Sequence, residues 1–356
     1  MEAYLLDKDF KTVTILDSFE SIIWTDRYNR YGDFEVYTPA TKQSLGDVKL
    51  DYYLYNAESE HLMIVESLEI SSDVENGNKL IITGRSLESI LERRIVWTQT
   101  TISGNLQNGI KKLLTDAFIS PSLAGRQVSN FVFEESTDEA ITSLTIDETQ
   151  FTGDNLYDII CSFCDKFSIG FKITLNDNNQ FVFKLYKGAD RSYNQTTNPY
   201  VRFSQDFENI INSDYVESQM EYKNVTLVAG EGEGTARKTA IVGDATGLDR
   251  RELFTDARDL SQTGDNVTYT DAQYRTMLQQ RGTEKLVDYK VNKVFDGEVE
   301  TQYMFKYGED FYLGDIVQVT NAYGIESRSR VVEMIMSQDS GGVSSYPSFE
   351  ILEEEE

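Results

Sequence analysis

Short runs of alternating apolar and polar residues, joined by tight-turn sequences, recur along the whole chain and confine it to a mainly β architecture. In one hairpin, residues 68–71 and 79–83 flank Asn76-Gly77, a dipeptide that supplies the positive φ angles of a two-residue turn. Residues 171–175 and 181–185 flank Asn176-Asp177-Asn178-Asn179, and residues 316–320 and 329–336 flank a turn at 321–324. The segment 3–16 reads as two strands around Asp7-Lys8-Asp9. In its second strand Val13 and Ile15 alternate with Thr12 and Thr14, the period of a half-buried strand. Only four prolines occur in 356 residues, so few of these strands are interrupted.

Helices form a minority. Leu106, Ile110, Leu113, Leu114 and Phe118 share one face of a helix expected over 104–118, and Leu156, Ile159, Ile160, Phe163 and Phe167 share one over 154–168. A third helix, over 271–289, opens on Thr270 with Gln273 three residues later, the pattern of a capping box. A short helix follows Ser86, over 87–94. Each apolar face needs a sheet or a second helix to cover it. The expected class is therefore mainly β with α+β insertions. A polar loop at 190–199 marks a junction, the Gly230-Glu231-Gly232-Glu233-Gly234 loop marks a junction or an exposed hairpin tip, and 353–356 is an acidic tail.

The chemistry available is narrow. His61 is the only histidine and Cys161 and Cys164 are the only cysteines, which leaves no material for a His-rich metal site or a disulfide framework. Cys161 and Cys164 fall inside the 154–168 helix rather than at its start, so they lack the dipole that activates a redox Cys-x-x-Cys pair and are expected to pack as small apolar side chains. No Gly-x-Ser-x-Gly elbow accompanies His61. The 230–234 loop lacks the Gly-Lys-Ser/Thr ending of a phosphate cradle, and the 176–179 turn lacks the Gly and Glu of a calcium loop. No catalytic, metal or cofactor residue is assigned. Sixty acidic residues against 33 basic ones give a net charge of −27, which argues against a surface that grips phosphate backbones. No leader or membrane-spanning segment is visible, so assembly is expected in the cytoplasm where the chain is made.

Five motifs in a fixed order carry more information than any of these. They are residues 21–40, with Trp24-Thr25-Asp26-Arg27-Tyr28-Asn29-Arg30-Tyr31-Gly32-Asp33 at their centre, then 84–94, opening on Gly84-Arg85-Ser86-Leu87-Glu88, then 203–210, Phe203-Ser204-Gln205-Asp206-Phe207-Glu208-Asn209-Ile210, with Tyr222-Lys223-Asn224-Val225, then Gly247-Leu248-Asp249-Arg250-Arg251-Glu252, and finally Tyr307-Gly308-Glu309-Asp310-Phe311-Tyr312-Leu313-Gly314-Asp315-Ile316-Val317. Together they resemble the tail-hub proteins of long, non-contractile-tailed bacteriophages, the baseplate-hub or tail-associated-lysin family. The resemblance spans about 1–350 and implies a homotrimer at the distal end of the tail tube. Each chain would contribute two tube-type β-barrel domains with smaller α/β domains beside them. On this sequence the first barrel falls at 1–100 plus 200–235, the α+β insertion at 101–199, and the second barrel at 236–356 with a helical insertion at about 255–290.

Many such relatives continue into a hydrolase or fibre region. This sequence ends at Glu356; the expectation is a non-enzymatic hub, either bare or the hub part of a longer protein. Implied partners are a distal tail protein, other tail-tip proteins and a tape-measure protein, with DNA passing through unbound. On that reading part of the −27 lines the passage. Alternatives from other classes are a receptor- or carbohydrate-binding tail protein, for which Tyr28, Tyr31, Tyr52, Tyr53 and Tyr55 are candidate stacking faces, and a peptidoglycan-degrading tail enzyme. The 230–234 loop and the 255–270 segment are candidate moving parts.

Overall fold

The computed structural model describes residues 1–73, 77–264, 267–299, 304–321, 323–324 and 326–352. Seven strands open the chain: β1 (Ala3–Leu6), β2 (Thr12–Leu16), β3 (Ser21–Arg27), β4 (Asp33–Pro39), β5 (Tyr53–Asn56), β6 (Met63–Asp73) and β7 (Gly77–Ser86), with helix α1 (Lys42–Asp47) before β5. A middle block holds β8 (Thr100–Asn105), α2 (Leu106–Leu114), β9 (Phe131–Glu134), α3 (Glu139–Thr142), β10 (Thr145–Phe151), α4 (Leu156–Phe167), β11 (Gly170–Leu175) and β12 (Phe181–Tyr186). Then come β13 (Arg202–Ser204), β14 (Ile210–Ser218), β15 (Val225–Ala229), β16 (Thr239–Val242), β17 (Glu252–Asp256), the short pair β18 (Thr263–Gly264) and β19 (Val267–Thr268), and α5 (Asp271–Val287). The chain closes with β20 (Asn292–Val299), β21 (Ile316–Thr320), β22 (Glu326–Asp339) and β23 (Gly342–Ile351).

Thirteen strands share one sheet, in the order β14-β20-β23-β22-β3-β4-β7-β6-β5-β1-β2, with β21 paired to β22 and β13. Strand β22 joins the two arms. Its first half, from Glu326 to Arg330, hydrogen-bonds to β21. Past an irregularity between Val331 and Glu333, its second half, Glu333 to Asp339, pairs antiparallel with β3. A bulge of this kind turns a strand and changes its neighbour. Of the 200–235 segment grouped above with the N-terminal strands, β13 hydrogen-bonds to β21 and β14 to β20.

Alternation along the strands gives this sheet a core face. Ile22, Trp24, Phe34, Val36 and Ile82 from one arm and Phe203, Val317, Val331 and Phe349 from the other are buried in a single cluster. Phe203 lies 5.3 Å from both Phe311 and Phe349, ring centre to ring centre.

The middle block builds its own core. Ile110, Leu113 and Leu114 of α2 and Ile160 and Phe163 of α4 pack with Phe131, Phe171 and Phe183. Helix α2 is shorter than the expected 104–118 because it passes into a π-helical turn at Thr115–Ile119, where Phe118 stays buried. The expected short helix after Ser86 is a 3-10 segment, Leu87–Arg93. Helix α5 starts on the expected capping box of Thr270 and Gln273. It covers one face of a three-stranded layer, β16-β15-β17, through Tyr274, Met277 and Leu278.

Two details depart from the sequence reading or lie outside it. Val13 and Ile15 of β2 are exposed rather than half-buried, because β2 is the last strand of the sheet and hydrogen-bonds only to β1 among the described residues. Asn76 lies outside the described residues, while Gly77 has φ 79°, as its hairpin turn requires.

Candidate functional site

The motif residues are fasteners between these cores. In the first motif, Arg27 Nε lies 2.5 Å from Glu333 of β22 and its Nη1 lies 2.5 Å from Asp33, which locks the crossing of the two sheet arms. Three residues on, Arg30 makes a two-pronged contact with Asp165 of α4 (Nη2 to Oδ2, 2.6 Å; Nη1 to Oδ1, 3.1 Å), and Asn29 Nδ2 donates to the same carboxylate at 2.6 Å. Tyr28 is 1% exposed, with Arg330 over its ring. Burial raises its hydroxyl to about 12, against the lowering pull of the Arg330 charge.

The last motif fits beneath that ring. Gly314 has φ +88°, and a Cβ there would stand 2.2 Å from Tyr28 Cε2. Only glycine satisfies both demands. The next residue, Asp315, accepts from Ala189 N at 2.7 Å, Arg191 Nε at 2.6 Å and Tyr312 N at 3.1 Å.

The other motifs do similar work. Arg85 binds Glu66 and Glu92, each at 2.6 Å. Asn209 Oδ1 accepts from Ser204 N and its Nδ2 donates to Arg202 O. Asn224 ties β15 to the 249–251 segment, accepting from Arg251 N and donating to Asp249 O. Residues that carry a family resemblance here carry the joints of the fold.

His61 is the centre of one polar cluster that sequence reasoning missed. It is 3% exposed, and Asp26 and Glu88 beside it are fully buried. His61 Nδ1 lies 3.0 Å from Glu88 Oε1, which also accepts from Ile173 N at 2.7 Å. Asp26 accepts from Trp24 Nε1 at 3.0 Å and Ser59 Oγ at 2.9 Å. Burial opposes a charge on the imidazole, but Glu88 and Asp26 outweigh it and raise His61 to about 9. Burial alone would lift Glu88, yet the His61 charge and hydrogen bond pull it below the ordinary carboxylate value. Asp26 goes the other way, raised by burial. The cluster joins β3, the 57–62 loop, the 3-10 segment and β11. It borders a cleft of about 420 Å³ that Tyr186, Tyr307 and Asp315 also line.

The remaining candidates scatter. Cys161 and Cys164 are buried in α4; burial pushes the Cys161 thiol up to about 12 and the Cys164 thiol well above its ordinary value. Of the tyrosines proposed as stacking faces, Tyr28 is buried, Tyr31, Tyr52 and Tyr53 are half-buried, and Tyr55 is exposed. The 230–234 loop is tied back by Gly230 N to Lys238 O and by Glu231 N to Tyr274 Oη. Asn179 takes φ 58° in its hairpin turn. Among the described residues no group of three or more His, Cys, Asp or Glu side chains is placed to hold a metal ion, and no helix is long and apolar enough to cross a membrane.

Two larger surfaces remain. Among the described residues, the sheet's terminal strands β2 and β14 each pair on one side only. Opposite its core face, strand alternation places Asp33, Glu35, Glu69, Glu333 and Asp339 with Arg27, Lys79 and Arg85. All three of these cations are held by carboxylates. None is free for a phosphate.

The fold has solved counterparts. A tail protein from Neisseria meningitidis MC58 matches with TM-score 0.58 at 12% identity, over 98% of this chain and 96% of that one. The 43 kDa tail protein of prophage MuSo2 from Shewanella oneidensis matches with TM-score 0.56 at 13% identity, over 98% of each chain. Prophage tail protein gp18 from Listeria monocytogenes EGD-e matches with TM-score 0.52 at 16% identity, over 100% of this chain and 96% of that one. At these identities the likeness establishes the fold. No curated protein matches the sequence. The family model for siphovirus ReqiPepy6 Gp37-like proteins matches residues 2–349, and the chain therefore belongs to that family of siphovirus tail proteins, in agreement with the tail-protein resemblance of its motifs.

Proposed function

We propose that this tail protein is a structural hub at the distal end of a siphovirus tail, a homotrimer that closes the tube and leaves a central path for DNA. The two arms of the sheet, meeting at β22 and β3, act as the two tube-type domains, so three chains offer six similar units to the tube above. The middle block is the α+β insertion between them. Neighbours in the virion are a distal tail protein and the tape-measure protein, and the chain performs no chemistry of its own.

The observation that carries this reading is the charge balance of the face opposite the sheet core, a face that Ile23, Tyr37, Ile81 and Ile335 also share. It holds more acids than bases, and its bases are already neutralised. A wall with free Lys and Arg would exchange the counterions of DNA for protein contacts and hold the duplex. A wall of this composition lets it slide. The single-sided strands β2 and β14 support ring closure, since cyclic assemblies join two different faces of one chain and unpaired edges favour a partner.

Virions labelled with an antibody to the chain test the placement: label at the tail tip is expected, and label along the tube or at the head end overturns it. A reconstruction of the assembled tip tests the path. The Glu35–Glu69 face is expected along the channel, and a basic or neutral channel wall sinks that part of the reading.

A further inference from the structure

Two exposed apolar rows stand out in a chain of charge −27. The first crosses β16, β15 and β17. Leu227 is paired in register with Ile241 on one side and Phe254 on the other, and the three are 42%, 55% and 57% exposed. The opposite face of this layer is already covered: a Cβ on Gly282 of α5 would stand 2.7 Å from methyls of Val228 and Val242. The row therefore faces away from α5. Its flanking carboxylates are neutralised, Asp256 by Arg237 and Arg258 and Glu252 by Arg250. From Arg237 to Arg258 the sequence holds five basic and four acidic residues, far from the average of the chain.

The second row crosses the other end of the molecule. Tyr4 of β1 is paired in register with Ile15 of β2 and Tyr55 of β5. Ile15 and Tyr55 are exposed, and the rings of Tyr4 and Tyr55 lie 6.1 Å apart. Here the surroundings are acidic: residues 1–20 hold five acids and two lysines, and Tyr4 Oη donates to Glu2.

We infer that the Ile241–Leu227–Phe254 row of one chain docks on the Ile15–Tyr4–Tyr55 row of a second copy. The inference deepens the trimer reading and rests on it. Copies that each carry −27 repel one another, so their contact needs apolar area where at least one side adds little negative charge. The near-neutral rim of the first row, its arginines balanced by Asp256 and Glu252, lets it approach the acidic rim of the second. The two rows are different surfaces of one chain, so the contact is head-to-tail and can close a ring. Aromatic and Arg side chains at such a place are the residue types that dominate contact energy.

Sedimentation of the full chain tests this. Wild type is expected to sediment as a trimer. Phe254→Glu and Ile15→Glu, each checked for an unchanged thermal melt, are expected to weaken association about a hundredfold. Mixing the two variants restores one intact junction and yields a two-chain species. A trimeric wild type with an equally trimeric Phe254→Glu overturns the docking and leaves the trimer standing. A wild type that stays monomeric across a wide concentration range and also with the distal tail protein added overturns both. Should a glutamate variant fail to fold, a chain carrying Ile15→Cys and Phe254→Cys gives a second route: oxidation is expected to link the assembled copies covalently, and an assembled trimer that forms no such links overturns the docking.

Discussion

The chain has one histidine, and its imidazole is expected to titrate well above its unfolded value. Folding places His61 between buried Glu88 and buried Asp26, and the imidazole is raised from 6.5 to about 9. A group raised in the folded state binds its proton more tightly there. Its contribution is therefore complete below the unfolded pKa near 6.5 and disappears as pH rises through 9. At about 1.4 kcal/mol per unit, a shift of this size is worth about 3 kcal/mol.

Removing the partner is a harsher perturbation. Among the described residues Glu88 Oε2 has no hydrogen-bond partner, and His61 supplies the charge that holds this carboxylate ionised, so His61→Gln leaves it buried with no cation beside it. A loss of about 3–5 kcal/mol is expected. Two measurements bear on this. The single imidazole resonance can be followed by NMR from pH 5 to 10.5, and urea unfolding can be compared at pH 6.5 and 9.5 for wild type and His61→Gln. Wild type is expected to lose stability over that window, and the variant to lose much less of it. The double variant His61→Leu with Glu88→Met is expected to recover most of the loss, because an apolar pair needs no charge balance. A folded-state titration at or below 6.5, or equal pH dependence in wild type and variant, refutes the reasoning.

Three further outcomes follow from the joints. Gly314→Ala forces a side chain into a positive-φ position against the Tyr28 ring and is expected to cost about 2–4 kcal/mol, read as a lower urea midpoint; a neutral result contradicts the role given to the motif. Asp165→Ala removes the shared acceptor of Asn29 and Arg30, and with Arg30 partly solvated the expected loss is about 1–2 kcal/mol, seen as faster amide exchange in α4. Native protein at pH 8 is expected to resist thiol alkylation at Cys161 and Cys164, both buried with raised thiols, while unfolded protein takes up two equivalents; rapid native labelling contradicts that packing.

Local features of the fold were legible in the sequence because their causes are local. The Asn176–Asn179 turn, the Thr270–Gln273 cap and the apolar face of Leu156, Ile160 and Phe163 each lie within a few residues of the structure they specify. What the sequence hid is long-range. Nothing near Glu333 announces Arg27 as its partner, nor does Arg202 announce Gln318, and these pairings set the order of the sheet. Period-2 alternation at Val13 and Ile15 identified a strand but not its place at the sheet's end, which decides exposure. In the sequence His61 stands as a lone imidazole with no nucleophile elbow beside it. Its buried partners are 27 and 35 positions away, and a buried acid in Gly84-Arg85-Ser86-Leu87-Glu88 was the available hint. The motif series succeeded as a family signal because its Arg, Asn, Gly and Asp residues each satisfy a joint that few other residues can.

The central claim, a ring of three chains, is tested most directly by the mass of the particle in solution. Light scattering or native mass spectrometry across a wide concentration range, with and without the neighbouring distal tail protein, is expected to reach three times 40.6 kDa per hub. A species that remains at 40.6 kDa under every one of those conditions contradicts the account.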